Sequence, residues 1–305
     1  MKGAGLATLL FAALLLAGCG GAKTRSARGG DTAARHEQGR IATGGSRADS
    51  FRDDINRPQS SRYRDSSDSV PGDMPDVSKL VEPVPKAEPH SLYGNKSPYT
   101  VLGRTYRVLP SASGYDERGI ASFYGNKFHG YKTSSLETYD MYAFSAASTT
   151  LPLPSYARVT NLENGKSVIV RINDRGPFHQ NRLIDLSYAA AVKIGIWPRG
   201  TGLVEVRGID PKHPAQELPP PAVVTTGHPG IYLQVGAFSD TDNADRLAQR
   251  LRQANLGAVQ VSDTEINGRR VRRVRVGPLA DVDRADQVSN RIETMGLPRP
   301  QVAVD

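Results

Sequence analysis

The residue best placed for chemistry is Asp174, within the stretch Ser167 to Lys193, SVIVRINDRGPFHQNRLIDLSYAAAVK. It stands between Arg171 and Arg175 in Asn-Asp-Arg-Gly-Pro, and a carboxyl can give or take a proton. Two roles are open to it: reaction, on a loop held by rigid elements, or bonding the backbone of its own turn. Val168, Val170 and Ile172 alternate with Ile169 and Arg171, as in a strand with one buried face. Asn173-Asp174 breaks the pattern and Gly176-Pro177 forces a turn. The chain returns through Leu183-Ile184. Ser187 then caps a helix containing Ala189 to Ala191 that stops at Gly195.

The surroundings read as mostly β. Short strands are predicted over Ile120 to Tyr124, Ala157 to Thr160, Ser167 to Ile172 and Gly202 to Ile209, with a hairpin turn at Asn164-Gly165. A further helix is expected over Ala143 to Thr149, and a hairpin from Tyr99 to Leu109 leads in. Many short strands with few helices favour a small closed barrel.

The chain has 305 residues, enough for about two domains. Its net charge is +8, but the basic residues are spread out, and no segment is basic enough to demand nucleic acid as a partner. At the N-terminus, Lys2 is followed by an apolar run from Leu6 to Ala17, too short to span a bilayer and shaped like a signal sequence. It ends in Leu-Ala-Gly-Cys at Cys19, the only cysteine, so no disulfide forms within the chain. This junction resembles a bacterial lipobox, which implies lipidation of Cys19, removal of residues 1–18 and a membrane anchor. Gly20, where an Asp would favour inner-membrane retention, points to the outer membrane. Residues 19–90 are rich in Gly, Ser, Arg, Asp and Pro with few large apolar residues, and are expected to be a disordered tether. Residues 91–210 form the first domain, 211–228 a Pro-rich linker and 229–305 the second.

The second domain contains a repeat. Val235 to Asp245 lies on Val276 to Asp286 at an offset of 41 residues, with six of eleven positions identical. Each copy reads as strand, Gly turn and amphipathic helix, with a hairpin at Asn267-Gly268 between them. The order is βαββαβ, a split-βαβ (ferredoxin/RNP-like) fold with both helices on one face of a four-stranded sheet. Leu233, Val235, Val274 and Val276 then face the helices, leaving Tyr232, Gln234, Arg273 and Arg275 on the bare face. That face is either a binding platform or a solvated surface. RNA-binding sheets of this topology carry more aromatics, and the RNP patterns are absent.

Gly119-Ile-Ala-Ser-Phe-Tyr-Gly125, Phe128-His-Gly130, Thr133, Glu137-Thr-Tyr-Asp-Met141, the run Thr150 to Leu162 and Arg171 to Pro177 together resemble the rare lipoprotein A (RlpA) family. Tyr232 to Ala303 similarly resembles a SPOR domain. The resemblance implies a mainly β plus α+β chain: a six-stranded double-psi β-barrel followed by a peptidoglycan-binding SPOR module. It also implies a lytic transglycosylase that cuts between N-acetylmuramic acid and N-acetylglucosamine and leaves 1,6-anhydro ends. No metal or other cofactor is needed, and the six histidines show no ligand spacing. Carried over, the catalytic group is Asp174, Glu137 and Ser148. Tyr124, Thr133 and Arg175 contact substrate in the barrel, and Tyr232, Gln234, Ser239, Asn243, Arg273 and Arg275 do so in the SPOR domain. Glycan strands lacking stem peptides are the implied substrate. The implied setting is the septum, on the periplasmic side of the outer membrane, with division proteins as further partners. Two positions depart from the family: Ser148 replaces the usual His, and Leu136 a common Gly. Serine does not titrate near neutrality, so the alternative is a septal lipoprotein that binds glycan without cutting it.

Overall fold

A computed structural model describes residues 53–71, 75–179, 181–213, 229–266 and 268–305. The expected signal run 1–18, the expected lipidation site Cys19, most of the Pro-rich linker and Asn267 of the second hairpin lie outside the described residues. Among the described residues, no helix is long and apolar enough to cross a membrane.

Strands β1 (Tyr99–Val101) and β2 (Arg104–Tyr106) form the leading hairpin. Six strands follow: β3 (Asp116–Tyr124), β4 (Ser145–Ala147), β5 (Ser155–Asn161), β6 (Ser167–Asp174), β7 (Ile184–Ser187) and β8 (Gly202–Gly208). They close into a barrel in the order β3-β7-β4-β6-β5-β8, with β3 parallel to β7, β4 parallel to β6 and the other pairs antiparallel. Val168, Val170 and Ile172 point into the core beside Ala157, Val159, Leu186, Val204 and Val206, as their alternation predicts.

Two local expectations are corrected. Ala143 to Thr149 is not a helix: Ser145–Ala147 is β4, with all three residues buried between β6 and β7. Its small side chains suit that slot, and barrel pairing overrides their local preference. In addition, β6 does not stop at Ile172. A register shift pairs Ala146 with Ile172 but Ala147 with Asp174, so Asn173 is an extra residue. Such a bulge re-aims the side chains beside it. The helix after β7 is as expected: Ser187 Oγ accepts from Ala190 N at 3.3 Å, capping Tyr188–Lys193, and Gly195 leaves it at φ +74°.

The second domain runs β9 (Ile231–Phe238), an α-helix (Thr241–Gln253), β10 (Val259–Ile266), β11 (Arg269–Leu279), an α-helix (Val282–Thr294) and β12 (Gln301–Val304). Its sheet order is β10-β11-β9-β12, the expected βαββαβ arrangement. The repeat explains both helix starts, because Asp240 and Asp281 occupy equivalent positions and each caps its helix. Leu247 and Val288, and Leu251 and Ile292, are equivalent and buried. The second domain packs on the barrel: Ile120, Leu162 and Leu203 share an apolar cluster with Ile231 and its neighbours. Arg182 of the barrel makes a two-point ion pair with Asp286, at 2.8 and 3.1 Å.

Part of the stretch read as disordered tether is instead laid along the barrel. Asp68 accepts from Gly125 N at 2.8 Å and Lys127 N at 3.0 Å, and Glu82 accepts from Ile169 N at 2.9 Å. Tyr63 packs edge-on against Phe128 and Tyr131, with centroids at 4.8 and 5.0 Å. Composition missed this because the segment has few apolar residues, although Val70, Val77 and Leu80 pack on the barrel's apolar clusters. Polar side chains reaching barrel backbone groups hold it.

Candidate active site

The bulge in β6 and the turn 133–137 build the site together. Asp174 Oδ1 accepts from Ser134 N at 2.8 Å, Ser134 Oγ at 2.7 Å and Arg175 N at 2.7 Å. Burial pushes the Asp174 carboxyl above its ordinary range; the bonds from Ser134 and Arg175 pull the other way without cancelling it. All of these bonds fall on Oδ1, which makes Oδ2 the oxygen suited to carry a proton.

The turn that supplies Ser134 also presents Glu137, and Thr133 N donates to the Glu137 carbonyl at 2.8 Å. Arg171 grips the Glu137 carboxylate through Nη2 at 2.8 Å and Nε at 3.3 Å, and Asn173 Nδ2 adds a bond at 2.9 Å. Burial pushes Glu137 up, but the bonds from Arg171 and Asn173 outweigh it and hold the carboxyl below its ordinary range. The far side of Arg171 binds Glu88 of the strap and Tyr156, and Tyr156 in turn binds Glu88. Asp174 and Glu137 are therefore brought together and pushed in opposite directions.

The other expected barrel residues are placed differently. Ser148 is buried, and its Oγ accepts from Thr150 N at 3.2 Å and Leu151 N at 3.1 Å. It secures its own turn, and no bond joins its hydroxyl to either carboxylate. Arg175 is a strut: it donates to the carbonyls of Gly94, Ser148 and Leu151 at 2.6, 2.9 and 2.6 Å and to Asn95 Oδ1 at 3.0 Å. With these donors engaged, it is set to hold the loop rather than a sugar. Tyr124 is buried beneath the site, stacked on Tyr139 at 4.1 Å, and Thr133 is buried within its turn.

In the second domain Tyr232, Gln234, Arg273 and Arg275 alternate with buried Leu233, Val274 and Val276 and share the face away from the helices. The Tyr232 ring lies on Gly230 and Gly277, where an added Cβ would come within 2.8 Å of it. Arg275 Nη1 is held by Asp305 at 2.5 Å, and the Nε atoms of both Arg273 and Arg275 are buried without a partner. Ser239 and Asn243 belong to the start of the Thr241–Gln253 helix, in the helical layer rather than on that face.

Sequence reasoning did not single out Ser134, Glu88 or Asp185. Asp185 lies in β7 between buried Ile184 and Leu186 and accepts from Ser122 Oγ. A lone acid in an apolar strand was the available signal.

Fold and site define a double-psi β-barrel of the lytic transglycosylase class joined to a SPOR domain. Family models described as "Lytic transglycolase" and "SPOR domain" match residues 116–207 and 227–302. Over 253 residues the chain is 40% identical to the "Endolytic peptidoglycan transglycosylase RlpA" of Pseudomonas aeruginosa, covering 66% of this chain and 74% of that one. A protein of the same description from Vibrio cholerae is 42% identical over 210 residues, with 69% and 78% covered. Among solved structures, the RlpA SPOR domain from Pseudomonas aeruginosa is similar at 32% identity and a TM-score of 0.24, covering 24% of this chain and 97% of that one. The chain belongs to the RlpA family.

Proposed function

We propose that this chain is a peptidoglycan lytic transglycosylase in which Asp174 is the acid and Glu137 the base. One observation carries the reading: two carboxyls joined by the turn 133–137, one raised by burial and the other held down by Arg171 and Asn173. Opposed environments of this kind separate an acid from a base. Asp174 gives its proton to the glycosidic oxygen as the bond to the muramic acid anomeric carbon breaks. The 6-hydroxyl of that sugar forms the new bond, and its proton passes to Glu137. Water is not consumed, unlike in hydrolysis by two spaced carboxylates. The test is digestion of peptide-free strands in ¹⁸O water. Anhydro ends free of ¹⁸O support the reading, and labelled reducing ends overturn it.

The finer reading is a preference for strands stripped of stem peptides, at the septum, on a protein anchored through lipidated Cys19. A muramic acid without its peptide exposes a lactyl carboxylate, and the Arg273 guanidinium on the bare sheet face is suited to it. A second reading, glycan binding without cleavage, is favoured by Ser148 in place of the family's usual His. The same digestion separates the two.

A further inference from the structure

Asp185 is a half-buried acid that the mechanism above leaves unused. The barrel's register places it. Ala147 of β4 pairs with Asp174 on one side and with Asp185 of β7 on the other, and Asp185 pairs with Ser122 of β3. Asp174, Ala147, Asp185 and Ser122 thus form one row across four strands, and paired positions in a sheet share a face. Ala147 separates the two acids with a single methyl group. Gly176, two residues beyond Asp174, has no side chain to intervene: a Cβ there would stand 3.7 Å from Ala147 Cβ and 3.8 Å from Asp185 Oδ2. The Asp185 carboxyl therefore looks onto the loop that carries the acid.

We propose that Asp185 is a positioning residue for Asp174: across Ala147, its carboxyl disfavours ionisation of Asp174 and so keeps the proton there until a leaving oxygen takes it. The inference rests on reading Asp174 as the acid.

The groups around the pair fit this role. Facing Asp185, β3 supplies the Ser122 hydroxyl, which bonds Oδ1, and the buried phenol of Tyr124. β4 supplies only Ala147, and β6 supplies Asp174. His179 and Arg182, on the segment before β7, favour the ionised form of Asp185, and Arg182 is also tied to Asp286. Facing Asp174 are Ser134, the Arg175 amide and guanidinium, the phenols of Tyr124 and Tyr139 and, at longer range, Arg62 of the strap. Burial raises both acids, and the Asp174 charge adds to the rise at Asp185. Two carboxyls in one desolvated row do not ionise independently, because the second charge is opposed by the first.

The test reads protonation directly. The carboxyl ¹³C signal of Asp174 is titrated in the full chain and in Asp185→Asn, which keeps the shape and an acceptor for Ser122. The titration midpoint of Asp174 falls by about one pH unit, the coupling at which two sites titrate as a pair. The upper limb of the kcat/KM profile on peptide-free glycan falls with it, while KM is unchanged. An unmoved Asp174 midpoint overturns the proposal, even if activity is lost, since that pattern is structural. Should Asp185→Asn fail to fold, the reciprocal experiment decides: Asp174→Asn lowers the Asp185 midpoint equally, and an unmoved Asp185 overturns the proposal. The titration does not require turnover. A parent that makes no anhydro ends would defeat the transglycosylase reading while the coupling is still measured.

Discussion

Arg171 and Glu137 meet through two bonds, Nη2 to Oε1 at 2.8 Å and Nε to Oε2 at 3.3 Å, and this clamp favours the charged form of one of the two carboxyls proposed for catalysis. Glu88 takes the opposite side of the same guanidinium, so one Arg on β6 joins the strap, the turn 133–137 and the barrel.

Arg171→Met should therefore cost about 1–3 kcal/mol at pH 7, the range for charge-assisted bonds discounted for partial exposure. Glu137 and Glu88 both have folded values held down. Their stabilisation is present above the unfolded carboxyl value of about 4.3 and is lost as pH falls through the folded values. Chemical denaturation of parent and variant across pH should show the gap closing in acid.

Asp174 has the opposite sign. Its folded value is raised, so its favourable contribution is present below the unfolded value of about 3.9 and is lost as pH rises through the folded one. Asp174→Asn should unfold at the same temperature as the parent or higher at pH 7, with the advantage gone below about pH 4. Thermal unfolding at both pH values checks this.

Ser148→Ala leaves the amides of Thr150 and Leu151 without their acceptor, and should cost about 1–2 kcal/mol of stability. The cleavage rate should change little, because the hydroxyl is committed to its own turn. A large loss of rate with stability intact would return Ser148 to the catalytic group.

Leu136 holds φ +65° in the turn that carries Glu137. A left-handed conformation costs a branched residue about 1–2 kcal/mol, partly offset by the greater unfolded-state freedom of glycine. Leu136→Gly, the family's common residue, should gain up to about 1 kcal/mol in denaturant unfolding.

How much of this was legible followed from how local each cause is. The alternation of Val168, Val170 and Ile172 and the repeated caps Asp240 and Asp281 are written within a few residues, and both domains could be drawn from such patterns. β4 was misread because Ser-Ala-Ala has no strand signature; β6 and β7 on either side make it a strand. The strap was misread because composition counts apolar residues, whereas Asp68, Glu82 and Glu88 hold it by polar bonds. Asp174 stood out at a strand end between Arg171 and Arg175, and Glu137 came from motif resemblance. The role of Arg175 did not, since its acceptors Gly94, Ser148 and Leu151 are distant in sequence.

On the SPOR sheet the two arginines should differ. Both Nε atoms lack a partner, but Asp305 engages Arg275 through Nη1. Arg273→Ala should weaken binding of peptide-free glycan about tenfold at low salt, within the range of a charge-assisted bond, and Arg275→Ala less. Co-sedimentation in the Asp174→Asn background, where strands are not cut, compares them.

The most direct measurement of the central claim is single-turnover digestion of peptide-free glycan strands by the parent and by Asp174→Asn, with products read by mass spectrometry. The account predicts 1,6-anhydro ends from the parent and none from the folded Asn variant. Anhydro ends released by both at the same rate would contradict it, because an amide has no proton to give the leaving oxygen.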